Sequence, residues 1–262
     1  MQKILIKIGG SMVNSEKFLF EMAAGISDLI KNGCSVSIVH GGGKDINEEL
    51  ARLNKEFSFV GGQRVTDGET VYAVQRVLSG DVNKRIVNEF LKNKINAVGI
   101  SGVDANTAKA KKLLSDEGDD LGFVGEIVNV DTKLLDLLSQ NGFVAVISPV
   151  SRDESGDIYN INADGAASEI AVAQKVDDLI FVSDVAGVKI GGKVVQKIEI
   201  GEIEKFIAAD EITGGMIPKL RGAAQAIKRG VSRVHICGWN GERTLAEEMS
   251  ETSTGTTVFF EQ

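Results

Sequence analysis

Two glycine clusters stand where this chain could hold an anion. Gly9-Gly10-Ser11 ends the apolar run Lys3–Ile8, and His40-Gly41-Gly42-Gly43 ends the run Ser35–Val39 just ahead of a helical pattern. Glycine removes the Cβ atom, so backbone N–H groups can approach a phosphate or carboxylate, and a following helix amino terminus adds positive potential. Tight turns alone would use the same residues. No G-x-x-x-x-G-K-[ST] loop occurs, and Gly41-Gly42-Gly43-Lys44-Asp45-Ile46 departs from G-x-G-x-x-G, which speaks against a common ATPase loop and against a dinucleotide fold.

Three cations sit where an anion would stabilise them. Lys7 lies near the end of an otherwise buried strand pattern, with Lys3 and Leu5 as its alternation partners. A lysine there needs a counter-charge, unless it snorkels to the sheet edge. Lys219 in Gly214-Gly215-Met216-Ile217-Pro218-Lys219 falls just inside a helix, where its charge opposes the dipole and calls for something anionic nearby. Pro218 accounts for the helix start by itself. Arg64 in Gly61-Gly62-Gln63-Arg64-Val65-Thr66-Asp67 stands in a loop before a helix that Asp67 or Thr66 can cap, and could grip a carboxylate through two N–H groups. The segment Asn160-Ile161-Asn162-Ala163-Asp164-Gly165 looks like the start of a calcium loop but lacks its closing glutamate, since Ala171 stands there. Asp164 therefore reads as a residue of a helix start.

The elements that would position these side chains alternate. Strand patterns at Lys3–Ile8, Ser35–Val39, Ala97–Ile100, Phe123–Val130, Phe143–Ser148, Leu179–Ser183, Arg233–Cys237 and Thr256–Phe260 are separated by helical periods. Those run over Glu16–Asn32, Ile46–Leu53, Glu69–Asn93, Thr132–Gln140, Ala166–Lys175 and Met216–Arg229. Such alternation predicts an α/β protein with a mostly parallel sheet flanked by helices. No Gly/Ser/Pro-rich linker divides the chain, so two lobes would share one sheet, with the boundary near Val172–Asp178.

Composition narrows the function classes. The 262 residues carry 29 Lys plus Arg against 37 Asp plus Glu, a net charge of −8. No basic tract exceeds two residues, so a nucleic-acid or anionic membrane surface would act against the overall field. No apolar run approaches a membrane span and the amino terminus lacks a signal-peptide core, so a cytoplasmic protein is expected. Cys34 and Cys237 are too few for a disulfide framework or a CxxC zinc site and read as inert thiols, leaving no metal site in the chain. Glycine, at 30 residues, is well above the usual share of about 7%.

Lys7-Ile8-Gly9-Gly10, His40-Gly41-Gly42-Gly43, Gly62-Gln63-Arg64-Val65-Thr66, Asn160-Ile161-Asn162-Ala163-Asp164, Ser183-Asp184-Val185-Ala186-Gly187-Val188 and Gly215-Met216-Ile217-Pro218-Lys219 occur in that order. Together they resemble the amino acid kinase family over essentially the whole chain. The resemblance implies an open αβα sandwich of two lobes, 1–174 binding an acyl amino acid and forming a dimer, 175–262 binding ATP with Mg2+. It is nearest to members that act on N-acetyl-L-glutamate. By that resemblance Lys7 and Lys219 stabilise the phosphoryl group in flight and Asp164 holds both. Gly10, Gly42 and Gly43 offer N–H groups, Arg64 and Asn160 bind the acyl substrate, and Asp184, Val185, Ala186, Gly187, Val188, Lys189, Glu211, Ile212 and Thr213 line the nucleotide. Gly61-Gly62-Gln63 and Cys237-Gly238-Trp239 depart from the family pattern.

A carboxylate acceptor with a pKa of about 4.3 is already ionised at neutral pH, so the reaction needs positioning and positive charge rather than a general base, in keeping with only two histidines. A carrier-protein-linked aminoadipate as acceptor is the rival within the class, to which Lys109, Lys111 and Lys112 could contribute a basic patch. A non-catalytic amino-acid sensor on the same fold is the rival outside it, and its signature would be loss of Lys7, Asp164 or Lys219, all present. With the first strand starting by Lys3, the resemblance leaves no place for the extra amino-terminal helix that joins dimers into rings in arginine-inhibited members. A homodimer insensitive to arginine is therefore expected, and a hexamer in light scattering or inhibition by sub-millimolar arginine would contradict it.

Overall fold

The computed structural model describes residues 1–115, 117–250 and 253–261. β1 (Lys3–Ile8) leads through the Gly9-Gly10 loop to α1 (Glu16–Lys31), which Ser15 caps by accepting a hydrogen bond from Phe18 N at 3.2 Å. β2 (Ser35–His40) and α2 (Gly43–Arg52) form the next unit, and the helix opens ahead of Ile46 because Gly42 and Gly43 themselves make its cap and first turn. A short hairpin of β3 (Phe59–Val60) and β4 (Gln63–Arg64) precedes α3 (Gly68–Gln75), whose cap Asp67 accepts from Thr70 N at 2.8 Å. α3 runs through a π-helical stretch, Arg76–Val82, into α4 (Asn83–Lys92), so the periodic segment Glu69–Asn93 is one helical run with a widened turn. β5 (Ala97–Ser101) follows.

β6 (Ala108–Leu114) and β7 (Asp120–Val130) come next, then α5 (Lys133–Gln140), β8 (Val144–Ser148), β9 (Val150–Arg152) and β10 (Ile158–Ile161). β6, β7, β9 and β10 close into a small barrel that the sequence reading does not foresee. The Ala-Lys pattern of β6 has little intrinsic strand preference; its conformation comes from pairing with β7, Ala108 opposite Val130 through to Leu114 opposite Asp120. The second half comprises α6 (Ala163–Gln174), β11 (Asp178–Val182), β12 (Lys189–Ile190), β13 (Lys193–Val194), β14 (Lys197–Glu199), α7 (Ile203–Ala208), α8 (Met216–Lys228), β15 (Arg233–Cys237), α9 (Thr244–Glu248) and β16 (Thr256–Phe259). Of these, β12 to β14, α7 and α9 are additions to the elements expected from the sequence.

The main sheet runs β14-β16-β15-β11-β1-β2-β8-β5, with every neighbouring pair parallel except β15–β16. The expected mostly parallel sheet with helices on both faces is thus what forms, continuous across the point where α6 ends and β11 begins. Side chains of β1 alternate between two cores. Ile4, Ile6 and Ile8 pack with α1, α2 and α4, whereas Leu5 packs with α6 and α8. Lys7 shares the parity of Leu5 and so points to the α6–α8 face. The chain passes from β1 to β2 on one side and returns to β11 on the other, which opens a crevice at the carboxyl ends of these strands.

At the opposite strand ends Asp178 is fully buried. It accepts hydrogen bonds from Gln2 Nε2 (2.7 Å), Arg233 Nε and Nη2 (2.8 and 3.2 Å) and His235 Nε2 (2.9 Å). Burial works to raise its pKa, but the bonds from His235, Arg233 and Gln2 hold it at about 2. A folded pKa below the unfolded value of about 3.9 gives stability that is present above about pH 4 and lost as the pH falls toward 2, about 2 kcal/mol in all. Asp178→Asn should therefore lose about 2 kcal/mol or more in urea unfolding at neutral pH, with the gap between variant and parent shrinking near pH 3.

Candidate active site

Lys7, Asp164 and Lys219 come from three elements and meet at one point. Asn162 caps α6 by accepting from Asp164 N (2.9 Å) and Gly165 N (3.1 Å), which spends the first-turn N–H groups on the cap and leaves the Asp164 carboxylate to the lysines. The Lys7 ammonium lies 2.7 Å from Asp164 Oδ1, and the Lys219 ammonium donates to Oδ2 at 2.5 Å. Both lysine side chains are only 13% exposed, so neither charge is dispersed into water. Burial opposes the charge on Asp164, but the two lysines outweigh it and hold its carboxyl below the usual carboxylate range. Lys219 also lies 4.8 Å from the centre of the Phe181 ring, a cation–π contact that orients it from beneath.

The glycine loops meet beside this trio. Gly9 N donates to Val182 O (3.1 Å) and Gly41 N to Ile8 O (2.9 Å), tying both loops to the ends of β11 and β1. They touch so closely that a Cβ on Gly10 would stand 2.7 Å from Gly42 N and 3.0 Å from Gly43 N. Gly42 in turn backs onto Leu78, whose Cδ2 would lie 2.5 Å from a Cβ there. Among the described residues no backbone carbonyl takes up the N–H of Gly10, Gly42 or Gly43. The backbone nitrogens of Gly10, Gly42 and Gly43 thus lie close together at the amino terminus of α2.

Arg64 and Asn160 lie together on the barrel side. Arg64 is buried between Phe57 and Phe59, 4.7 Å from each ring centre, and donates to Gly43 O at 3.3 Å and to Asn47 Oδ1. Its Nη1 is buried and has no hydrogen-bond partner among the described residues, leaving one arm of the fork for a carboxylate. Asn160 donates to Thr66 Oγ1 (3.3 Å), and that hydroxyl donates to Arg64 O (2.7 Å), so the pair is linked through a residue the sequence reading had used only as a cap. Asn47, Asn162, Phe57 and Phe59 were not singled out as site residues. Asn162 carried a signal, a cap residue two positions before Asp164; Phe57 and Phe59 reach Arg64 through the short hairpin that pairs Phe59 with it, and Asn47 reaches it from α2.

The expected nucleotide residues lie on the segment after β11 and on the turn before α8. Asp184, Val185 and Ala186 continue β11 as an exposed loop, and Glu211 and Thr213 stand exposed just before α8. Gly187 and Val188 are buried, and Val188 N donates to Thr256 Oγ1 at 2.8 Å. The Val188 and Ile212 side chains belong to the core on the α6–α8 face, so only their backbone can face a ligand, while Lys189 is exposed. A cleft of about 510 Å³ opens between α6, α8 and β7, lined among others by Asp164, Lys219, Phe181, Gly62 and Gly125. None of the expected nucleotide residues lines it.

A mostly parallel αβα sandwich that brings two lysines onto one aspartate beside two glycine loops at its strand ends defines the class, an α/β protein with a polar site at the carboxyl edge of its sheet. The amino acid kinase family profile matches residues 2–238, and the chain belongs to that family. Among similar proteins, the acetylglutamate kinase of Chlorobaculum tepidum is 43% identical over 253 residues, 96% of this chain and 88% of the relative. That of Caldicellulosiruptor bescii is 41% identical over 239 residues, 89% of this chain and 82% of the relative. A solved structure from Streptococcus mutans UA159 superposes with a TM-score of 0.84 at 27% identity, covering 99% of each chain. N-acetylglutamate synthase from Neisseria gonorrhoeae, complexed with coenzyme A and N-acetyl-glutamate, superposes with a TM-score of 0.88 at 21% identity; this chain spans 60% of that longer one, and the likeness is one of fold.

Because the atoms facing Gly10 are backbone, a side chain there cannot be absorbed by a rotamer change. Gly10→Ala is expected to push the two glycine loops apart, lowering turnover by about 100-fold and also lowering the urea midpoint; near-parent turnover would remove the loop contact from the site.

Proposed function

We propose that the chain is an acetylglutamate kinase, which transfers the γ-phosphoryl group of ATP to the side-chain carboxylate of N-acetyl-L-glutamate. The products are N-acetyl-L-glutamyl 5-phosphate and ADP, in arginine biosynthesis. The observation that carries this reading is the convergence of Lys7 and Lys219 on Asp164. The names of the similar proteins, at about 40% identity over most of the chain, support it.

Donor and acceptor are both anions, so their mutual repulsion is the obstacle to transfer. One lysine at 4 Å from a phosphoryl oxygen contributes about 4 kcal/mol at an effective dielectric near 20, before desolvation is subtracted. Lys7 and Lys219 approach the transferred group from β1 and α8, and Asp164 keeps the two ammonium groups from driving each other apart. The N–H groups of Gly10, Gly42 and Gly43 take up charge spreading onto the equatorial oxygens. Arg64 offers its buried Nη1 to the acceptor's α-carboxylate and Asn160 completes that side. The acceptor half is residues 1–174 and the nucleotide half 175–262, with Asp184–Lys189 and Glu211–Thr213 beside ATP. Magnesium would arrive carried on the ATP phosphates. Bound in that way, magnesium neutralises further phosphate charge. The enzyme is read as a cytoplasmic homodimer acting on small molecules; separately, no helix of the described residues is long and apolar enough to cross a membrane.

The basic patch that could favour a carrier-linked acceptor is already neutralised. Lys109 pairs with Glu154, Lys111 with Glu126 and Lys112 with Asp120. ADP release should therefore depend on free N-acetyl-L-glutamate, and hydroxylamine should trap the acyl phosphate. Lys7→Ala and Lys219→Ala should each lose about 100-fold or more in kcat. Near-normal turnover by Lys7→Ala would sink the assignment.

A further inference from the structure

We propose that His40, oriented by Asn83, is a positioning residue that aims the Gly42 N–H into the phosphoryl cradle. The inference rests on the reading of Gly10, Gly42 and Gly43 as that cradle. His40 is the last residue of β2 and is fully buried, yet it bonds to neither lysine nor to Asp164. Its Nδ1 lies 2.8 Å from Gly41 O and its Nε2 lies 3.2 Å from Asn83 Nδ2.

Asn83, itself fully buried, decides which ring nitrogen holds the proton. Its Oδ1 accepts from Lys84 Nζ at 3.0 Å and its Nδ2 donates to Val146 O at 2.9 Å. Turning the amide over would set Oδ1 against the Val146 carbonyl and the NH2 group against the lysine. The NH2 group therefore faces His40 Nε2, which must accept, so the proton sits on Nδ1 and is donated to Gly41 O. Burial lowers the ring's pKa to about 4; Lys84 and Arg85 lower it too, against the Gly41 hydrogen bond and Asp45. At neutral pH the ring is uncharged, with one tautomer, and has no part in proton transfer.

The bond matters because of peptide geometry. Gly41 C=O and Gly42 N–H belong to one planar trans peptide unit and point in opposite directions. Holding the oxygen on His40 turns the N–H the other way, and the Gly42 nitrogen stands beside Gly10, 2.7 Å from the place of a Cβ there. Three successive glycines have the greatest backbone freedom available to a chain, so this peptide would otherwise be free to rotate. Leu78 and Val82, on the π-helical stretch that ends just before Asn83, back the same loop, at 2.5 and 3.3 Å from a Cβ on Gly42. One helical run thus supplies both the packing and the amide that set the loop.

The test compares His40→Leu, which cannot donate, with His40→Asn, whose Nδ2 stands near the place of Nδ1, and with Asn83→Asp, which replaces the donor by an acceptor. In the ADP-release assay with N-acetyl-L-glutamate, His40→Leu and Asn83→Asp should lose about tenfold or more in kcat, with both KM values within about threefold of the parent. His40→Asn should recover most of the loss and keep the parent's pH profile between about pH 5.5 and about 8. In 15N-histidine-labelled parent protein, the His40 Nε2 resonance should be that of an unprotonated ring nitrogen at neutral pH, a readout that needs no variant to fold. Parent kcat in His40→Leu, no recovery in a folded His40→Asn, a lost limb of the pH profile in His40→Asn, or a protonated Nε2 would each overturn the proposal. A parent protein without acceptor-dependent ADP release, or a fully active Lys7→Ala, would instead overturn the kinase reading itself.

Discussion

Two ammonium groups meet at the two oxygens of one partly buried carboxylate, and without that carboxylate their charges would drive each other apart. At about 4 Å apart, like charges repel by about 4 kcal/mol at an effective dielectric near 20, and partial burial removes the water that would screen them. Asp164 makes the arrangement stable by supplying the anion between Lys7 and Lys219. A phosphoryl group in transit is a second anion of the same kind, so a site that already tolerates two converging cations is preorganised for it.

Much of the architecture follows from keeping that contact in place. β1 lies mid-sheet, so Lys7 is gripped between β2 and β11 and has little freedom to withdraw. The parity of β1 turns Lys7 toward the face that carries α6 and α8, and those helices begin with Asp164 and Lys219 in their first turns. The same strand ends carry the glycine loops, so charge arrives from side chains on one face while N–H groups arrive from backbone at the edge. The small barrel has a separate task. It carries Asn160 to Thr66 and thereby to Arg64, joining segments almost a hundred residues apart.

Much of this was legible along the chain because it depends on local pattern. The alternation of short β-branched runs with helical periods marked β1, β2, β5, β8, β11 and β15 and the helices between them, since burial of a parallel sheet on both faces leaves a nearly continuous apolar signature. Glycine clusters at strand ends and Lys7 inside an apolar run were visible as local anomalies. β6, with alanines inward and lysines outward, was not visible, because its strand character resides in its partner β7. The short strands β12 to β14 were not visible either, each being held by pairing rather than by composition.

Residue types and their spacing were enough to set the sheet, its flanking helices and the presence of buried cations in search of an anion, because periodicity, capping and glycine geometry act over a few residues. The resemblance already paired Asp164 with Lys7 and Lys219, but the contact distances, and the enclosure of Arg64 by Asn47 and the Phe57 and Phe59 rings, came only from the tertiary structure. So did the tautomer of His40, which depends on an amide forty-three residues away. Charges and hydrogen-bond donors act through distances of a few ångströms in space, and that proximity is created by strand order and helix packing rather than by neighbourhood along the chain.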